Sequence, residues 1–166
     1  MNQADRFMRA EPVILLVEDD ANDVLLLHRA FAKAGLACQI IDVGDGQQAI
    51  DYLDGRPPFS DRAQFPIPTM LLLDLKLPRV DGFDVLTWLH ERPDLACIRV
   101  VVLSASGQEK DLLRARRLGA ADYQVKPSDF NSLTRLARDL QLKWLDRPPA
   151  GRTARPGRRT MDYVSR

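Results

Sequence analysis

Five short apolar runs punctuate the chain: Val13–Val17, Ile40–Val43, Met70–Leu73, Val100–Leu103 and Tyr123–Val125. Between them lie longer stretches with apolar residues at helical spacing, at about Asn22–Ala34, Gly46–Leu53, Gly82–Glu91, Glu109–Leu118 and Ser128–Leu145. Most of the short runs are apolar at consecutive positions, not at alternate ones. A strand of that kind must bury both faces, as in a parallel sheet covered on each side by crossover helices. The pattern predicts an α/β fold of five βα units.

Local signals punctuate these elements. Gly35 follows the first helical stretch as a left-handed cap, and Ser128, just after Pro127, is placed to cap the last one. In that last helix Phe130, Leu133, Leu136, Ala137, Leu140 and Trp144 share one face, which leaves Leu142 roughly opposite. Gly82 after Asp81 reads as a turn. Residues 55–68 break the rhythm: they hold Pro57, Pro58, Pro66 and Pro68 and two exposed-looking aromatics, Phe59 and Phe65. The segment is longer than an ordinary helix-to-strand loop and reads as a tolerated surface insertion or as a partner-binding loop.

Composition narrows the class. A length of 166 residues fits one domain, and an apolar fraction of 45% is ordinary for a globular protein and argues against wholesale disorder. The longest unbroken apolar run, Val13–Val17, falls far short of the roughly 18 residues of a membrane span. The N-terminus lacks the apolar stretch of a secretory signal, so a cytoplasmic location is expected. Cys38 and Cys97 are too few for a disulfide framework or a zinc site.

The formal net charge of +1 conceals an asymmetry. Between Asp146 and Arg166 six arginines face two acids, a local charge of +4, while the other 145 residues carry 18 basic against 21 acidic side chains, or −3. The same stretch holds Pro148, Pro149 and Pro156 with Gly151 and Gly157, which cannot easily continue a helix. The expected organisation is an N-terminal arm (1–11), a mildly acidic folded domain (12–146) and a basic flexible tail (147–166). The tail reads as a solvated extension, with no specific nucleic-acid partner.

Chemistry-bearing residues sit at four strand ends. The first apolar run stops at Glu18, Asp19 and Asp20, the third at Asp74, the fourth at Ser104 and the fifth at Lys126. In open parallel sheets ligands bind outside the carboxyl ends of the strands, so these groups are placed to converge. Crowded carboxylates repel one another unless a cation sits among them. With oxygen donors and no His or Cys nearby, Mg²⁺ is the best candidate. A carboxylate nucleophile beside it can form an aspartyl-phosphate, with Lys126 and the Ser104 hydroxyl on the phosphoryl oxygens. Asp20 reads as a helix cap. His28 and His90 lie away from strand ends and read as solvated or locally satisfied side chains.

The sequence resembles the receiver domain of two-component response regulators over about residues 12–145. The resemblance is carried by VILLVEDDANDVLL at 13–26, MLLLDLKLPRVDGFDVL at 70–86, VVLSAS at 101–106 and YQVKP at 123–127. It implies a doubly wound, flavodoxin-like (βα)₅ sheet of order 2-1-3-4-5. It also implies Asp74 as phosphoacceptor; Asp19, Asp74 and the Lys76 backbone carbonyl as Mg²⁺ ligands; and Glu18, which stands where many relatives have Asp, as a contact through water. Ser104 and Lys126 would bind the phosphoryl group, and Ala105 would leave room for it. Tyr123 would follow the Ser104 hydroxyl as a switch aromatic, and Pro127 would follow a peptide that the family often makes cis. The strand order would separate Cys38 from Cys97 by about 14 Å, too far for a disulfide.

The resemblance implies a stand-alone, non-enzymatic phospho-switch fed by a histidine kinase. Leu113 and Leu142 are off-face leucines for a homodimer patch on the fourth helix, fifth strand and fifth helix. The insertion and extended C-terminus are similar to small receivers that serve bacterial phytochrome-type kinases. The alternative within the family is a phosphate sink or shuttle in a phosphorelay with no effector of its own. A haloacid-dehalogenase-like phosphatase is disfavoured, because Lys76 stands where that chemistry needs a second acid.

Overall fold

The computed structural model describes residues 11–146. The basic tail at 147–166 and all of the N-terminal arm but Glu11 lie outside the described residues. The strands are β1 (Val13–Val17), β2 (Gln39–Val43), β3 (Met70–Leu73), β4 (Arg99–Ser104) and β5 (Asp122–Val125), paired in parallel in the order β2-β1-β3-β4-β5. The helices are α1 (Ala21–Ala34), α2 (Gly46–Asp54), α3 (Gly82–His90), α4 (Glu109–Arg117) and α5 (Phe130–Leu140). A 3₁₀ turn (Pro93–Leu95) precedes β4 and a π turn (Gln141–Leu145) follows α5. No described helix is long and apolar enough to cross a membrane.

Alternation along the strands sorts the core into two layers. Leu15, Val17, Leu71, Leu73, Val100 and Val102 face α2, α3 and α4, where Leu53, Val85, Leu86 and Ala115 meet them. Ile14, Leu16, Met70, Leu72, Val101 and Leu103 face α1 and α5, against Leu27, Phe31, Leu136 and Leu140. Burying each Leu, Ile or Val contributes about 1.5–3 kcal/mol, so both faces of these strands are committed to packing. Only the strand ends remain for polar chemistry. Edge strand β2 departs from the both-faces pattern: Asp42 is exposed there and pairs with His28 of α1 at 2.9 Å.

Capping residues set where the helices begin. Asp20 accepts from the Asn22 and Asp23 amides at the start of α1, and Gly35 closes it in the left-handed conformation, both as expected. At α5 the expectation of a Ser128 cap gives way to Asp129, whose carboxylate accepts from Ser132 N at 2.8 Å. A carboxylate reaches that amide and also complements the positive helix end, so the helix starts two residues later. It also ends earlier than its apolar stripe suggests, passing into the π turn at Gln141.

The proline-rich segment is folded onto α2. Arg62 donates to the Tyr52 and Leu53 carbonyls at 2.8 and 2.9 Å and to Phe65 O at 3.2 Å, satisfying acceptors that the end of α2 leaves open. Phe59 and Phe65, which look exposed in the sequence, pack on each other edge-on at 5.2 Å and against the buried ring of Tyr52. The Tyr52 hydroxyl donates to Pro66 O. Replacing Arg62 with Ala is expected to cost about 1.5–3 kcal/mol in urea unfolding, the usual worth of charged hydrogen bonds. Faster amide exchange confined to 55–68 would accompany it.

Asp45 caps α2 from a nearly inaccessible position, accepting from Gln48 N, Gln48 Nε2 and Arg79. Burial alone would push its carboxyl up, but the hydrogen bonds from Gln48 and Arg79 outweigh that and hold it below its ordinary value of 3.8. A depressed carboxyl stabilises the fold above the unfolded-state value and loses that contribution as pH falls through the folded one. The stability gap between the parent protein and Asp45→Ala should therefore be about 1–2 kcal/mol at neutral pH. Urea titrations should show that gap narrowing below pH about 4.

Candidate functional site

Register brings the four strand ends to one edge. Val17 is level with Leu73, so Glu18 and Asp74 emerge side by side, and Asp74 N still donates to Val17 O. Strand β4 runs on to Ser104, level with Val125, and Lys126 comes next with its amide on Ser104 O at 2.8 Å. The residues after parallel strands that end together have no other place to go.

Lys126 organises the site. Its Nζ donates to Glu18 Oε2 at 2.6 Å, Asp23 Oδ2 at 2.8 Å and Asp74 Oδ2 at 2.9 Å. Burial would lower the lysine's pKa, but hydrogen bonds to Asp23, Glu18 and Asp74 raise it, so the ammonium stays charged. At Glu18 the balance reverses: burial pushes the carboxyl up more than Lys126 and the Asp20 amide pull it down. The two innermost acids, Glu18 and Asp74, are 4% and 7% exposed, and Asp19 stands at the open rim.

One carboxylate oxygen each from Glu18, Asp19 and Asp74 lie within 4.8 Å of one another. An all-oxygen donor set of this charge suits a hard divalent cation such as Mg²⁺ or Mn²⁺, which shares its shell with waters. The residues present thus fit the expected ion. Lys76 is exposed just after Asp74 and its amide donates to Asp74 Oδ1 at 3.1 Å, leaving its carbonyl outside that bond.

Around this cluster Ser104 is fully buried and its Oγ accepts from Ser106 N at 3.2 Å, while Ala105 is exposed beside it. Tyr123 is turned inward, with its hydroxyl donating to Ser106 O at 2.7 Å. The Ser106 hydroxyl in turn donates to Asp111 in α4 at 2.7 Å. Asp20 stays out of the cluster and caps α1. Pro127 follows Lys126, but the only cis peptide among the described residues is Pro57–Pro58, so the peptide before Pro127 takes the lower-energy trans form. Leu113 and Leu142 are exposed at 47% and 67%. His28 is satisfied by Asp42, and both cysteines are free.

The sequence conceals some of what holds this site. Gly82 is required by close approach and not by a turn: a Cβ there would lie 2.3 Å from Asp74 O and 2.6 Å from Leu75 Cα. Gly46 is similar, with Val80 O 2.2 Å from where its Cβ would be. Between these contacts Arg79 adopts φ 65°, an unusual value for a non-glycine residue, and its guanidinium pairs with Asp45. Asp23 is also hidden in the sequence, because an acid in the first turn of a helix reads as a complement to the helix dipole.

Comparisons with known proteins agree with this geometry. The model of the "Response regulator receiver domain" family matches residues 14–138. A relative described as probable methanogenesis regulatory protein FilR2, from Methanothrix harundinacea, is 38% identical over 133 residues, which is 80% of this chain and 83% of that protein. The crystal structure of the phosphorylated cyanobacterial phytochrome response regulator RcpA superposes with a TM-score of 0.75 at 32% identity, covering 82% of this chain and 96% of that one. The Mn²⁺-bound form of response regulator Rcp1 superposes at 0.73 and 32% identity, covering 81% and 95%. A sheet of order 2-1-3-4-5 with an acidic pocket at its carboxyl edge, and a family match over most of its length, place this chain among the response regulator receiver domains, with phytochrome response regulators among its relatives.

Proposed function

We propose that the domain is a phospho-switch in which Asp74 accepts a phosphoryl group from a histidine kinase, in line with the phytochrome relatives a kinase of the bacteriophytochrome type. The observation that carries this reading is the position of Asp74: a buried carboxylate within hydrogen-bond reach of a charged ammonium and beside two further carboxylates. In the transfer an Asp74 carboxylate oxygen forms a bond to phosphorus, and the P–N bond of the donor imidazole breaks with its electron pair going to the ring. A bound Mg²⁺ would offset charge on the phosphoryl oxygens and the carboxylates. Asp19, Asp74 and the Lys76 carbonyl would hold it, with Glu18 reaching it through water.

The chain's own residues do the rest. Lys126 exchanges its bond to Asp74 Oδ2 for one to a phosphoryl oxygen. Ser104 turns its hydroxyl toward another oxygen and gives up the bond from Ser106 N, and exposed Ala105 leaves the approach open. Loosening Ser106 moves the acceptor of the Tyr123 hydroxyl, and through the Ser106–Asp111 bond it reaches α4. The altered surface is then α4, β5, α5 and the π turn that follows it, where Leu113 of α4 and Leu142 of the π turn offer apolar contacts to a second copy or a partner.

Mass spectrometry with a phosphodonor and Mg²⁺ tests the chemistry: the protein should gain one phosphoryl group, and Asp74→Asn or a chelator should abolish the gain. Undiminished modification of Asp74→Asn would overturn the assignment. For the surface, beryllofluoride should raise the sedimenting mass from monomer to dimer. A Leu142→Lys variant should remain monomeric under the same conditions.

A further inference from the structure

An ammonium has three N–H donors, and those of Lys126 are all taken, by Glu18, Asp23 and Asp74. Two of these acceptors, Glu18 and Asp74, belong to the carboxylate group that fits a cation, and in the proposed reaction Asp74 gives up its bond to the ammonium while Glu18 turns to the cation through water. Asp23 belongs to neither event. Its carboxylate lies outside the Glu18, Asp19 and Asp74 group and is 39% exposed at the rim. Its backbone is fixed at the start of α1, where Asp23 N faces the Asp20 cap and Val24 N donates to Asp20 O at 3.0 Å.

Lys126, by contrast, carries its charge on a flexible four-carbon stem just beyond the last residue of β5. If its only partners were Glu18 and Asp74, a cation drawing those carboxylates and a phosphoryl group replacing one of them would leave the ammonium without a fixed contact. Asp23 is the acceptor that neither event displaces. We propose that Asp23 is a positioning residue, whose carboxylate pins the Lys126 ammonium over Asp74 so that it meets the incoming phosphoryl oxygen in place. This inference rests on the reading of Asp74 as phosphoacceptor. An acid in the first turn of α1 also favours the helix end on its own, and the experiment separates that role from the one proposed.

The full chain is treated with acetyl phosphate and Mg²⁺, and the initial rate of phosphoryl gain is followed by intact mass, with the affinity for Mn²⁺ measured by its paramagnetic resonance signal. Asp23→Ala should slow phosphorylation by about tenfold or more, within the roughly hundredfold that a misplaced group can cost, and should leave Mn²⁺ affinity unchanged. Asp23→Asn, whose amide oxygen can accept the same bond, should recover most of the rate. In a Lys126→Ala background, Asp23→Ala should cost nothing further, because its effect runs through the ammonium. A parent-like rate for Asp23→Ala, or an equal slowing with and without Lys126, overturns the proposal while leaving Asp74 as acceptor. Absence of any phosphoryl gain by the parent protein, or an equal gain by Asp74→Asn, removes the reading of Asp74 and this inference with it.

Discussion

An ammonium bridging three carboxylates holds together the edge on which everything else in this molecule converges. Glu18 and Asp74 are nearly inaccessible, and negative groups so placed would repel one another and each lose hydration. Lys126 compensates both, and the hydrogen bond that its backbone N–H donates to Ser104 O fixes the base of its side chain to the next strand. The hydrophobic layers above and below the sheet leave no alternative site for this charge. Packing thus fills the faces of the strands, and electrostatics takes the ends.

Most of that arrangement was legible in the sequence because the two forces write in different letters. Runs such as MLLL at 70–73 announce strands buried on both sides, and the first polar residue after each run marks the edge where the strands stop. Asp74, Lys126 and Ser104 were therefore visible as strand-end residues before any geometry was known. Helix starts were less so: Ser128 and Asp129 are both good caps in the abstract, and only the reach to the Ser132 amide decides between them. Contacts that depend on distance alone were invisible. Nothing in the letters of Gly82 says that a methyl group there would strike the Asp74 carbonyl, and nothing in Arg62 says that it closes the end of a helix.

The proline-rich segment shows how an insertion is absorbed. A long loop carries backbone groups that need partners, and here Arg62 and the Tyr52 hydroxyl supply some of them. The three rings of Tyr52, Phe59 and Phe65 then convert loop into core. This addition attaches at the carboxyl end of α2, whereas Asp45 and Gly46, which meet the segment carrying Asp74, lie at its amino end.

The close approaches at Gly46 and Gly82 have a mechanical meaning. The segment from Asp74 to Gly82 is clamped, with Val80 O against the first residue of α2, Asp74 O against the first residue of α3, and Arg79 tied across to Asp45. A segment without slack would not bend if its carboxylate were modified as proposed; it would transfer load. On the other side of the pocket Ser104, Ser106 and Tyr123 are joined by hydrogen bonds that can be exchanged one for another, so under the proposed phosphorylation of Asp74 this is the flank free to rearrange. In the proposed switch the stiff flank would serve as an anvil, and the compliant one would carry the signal.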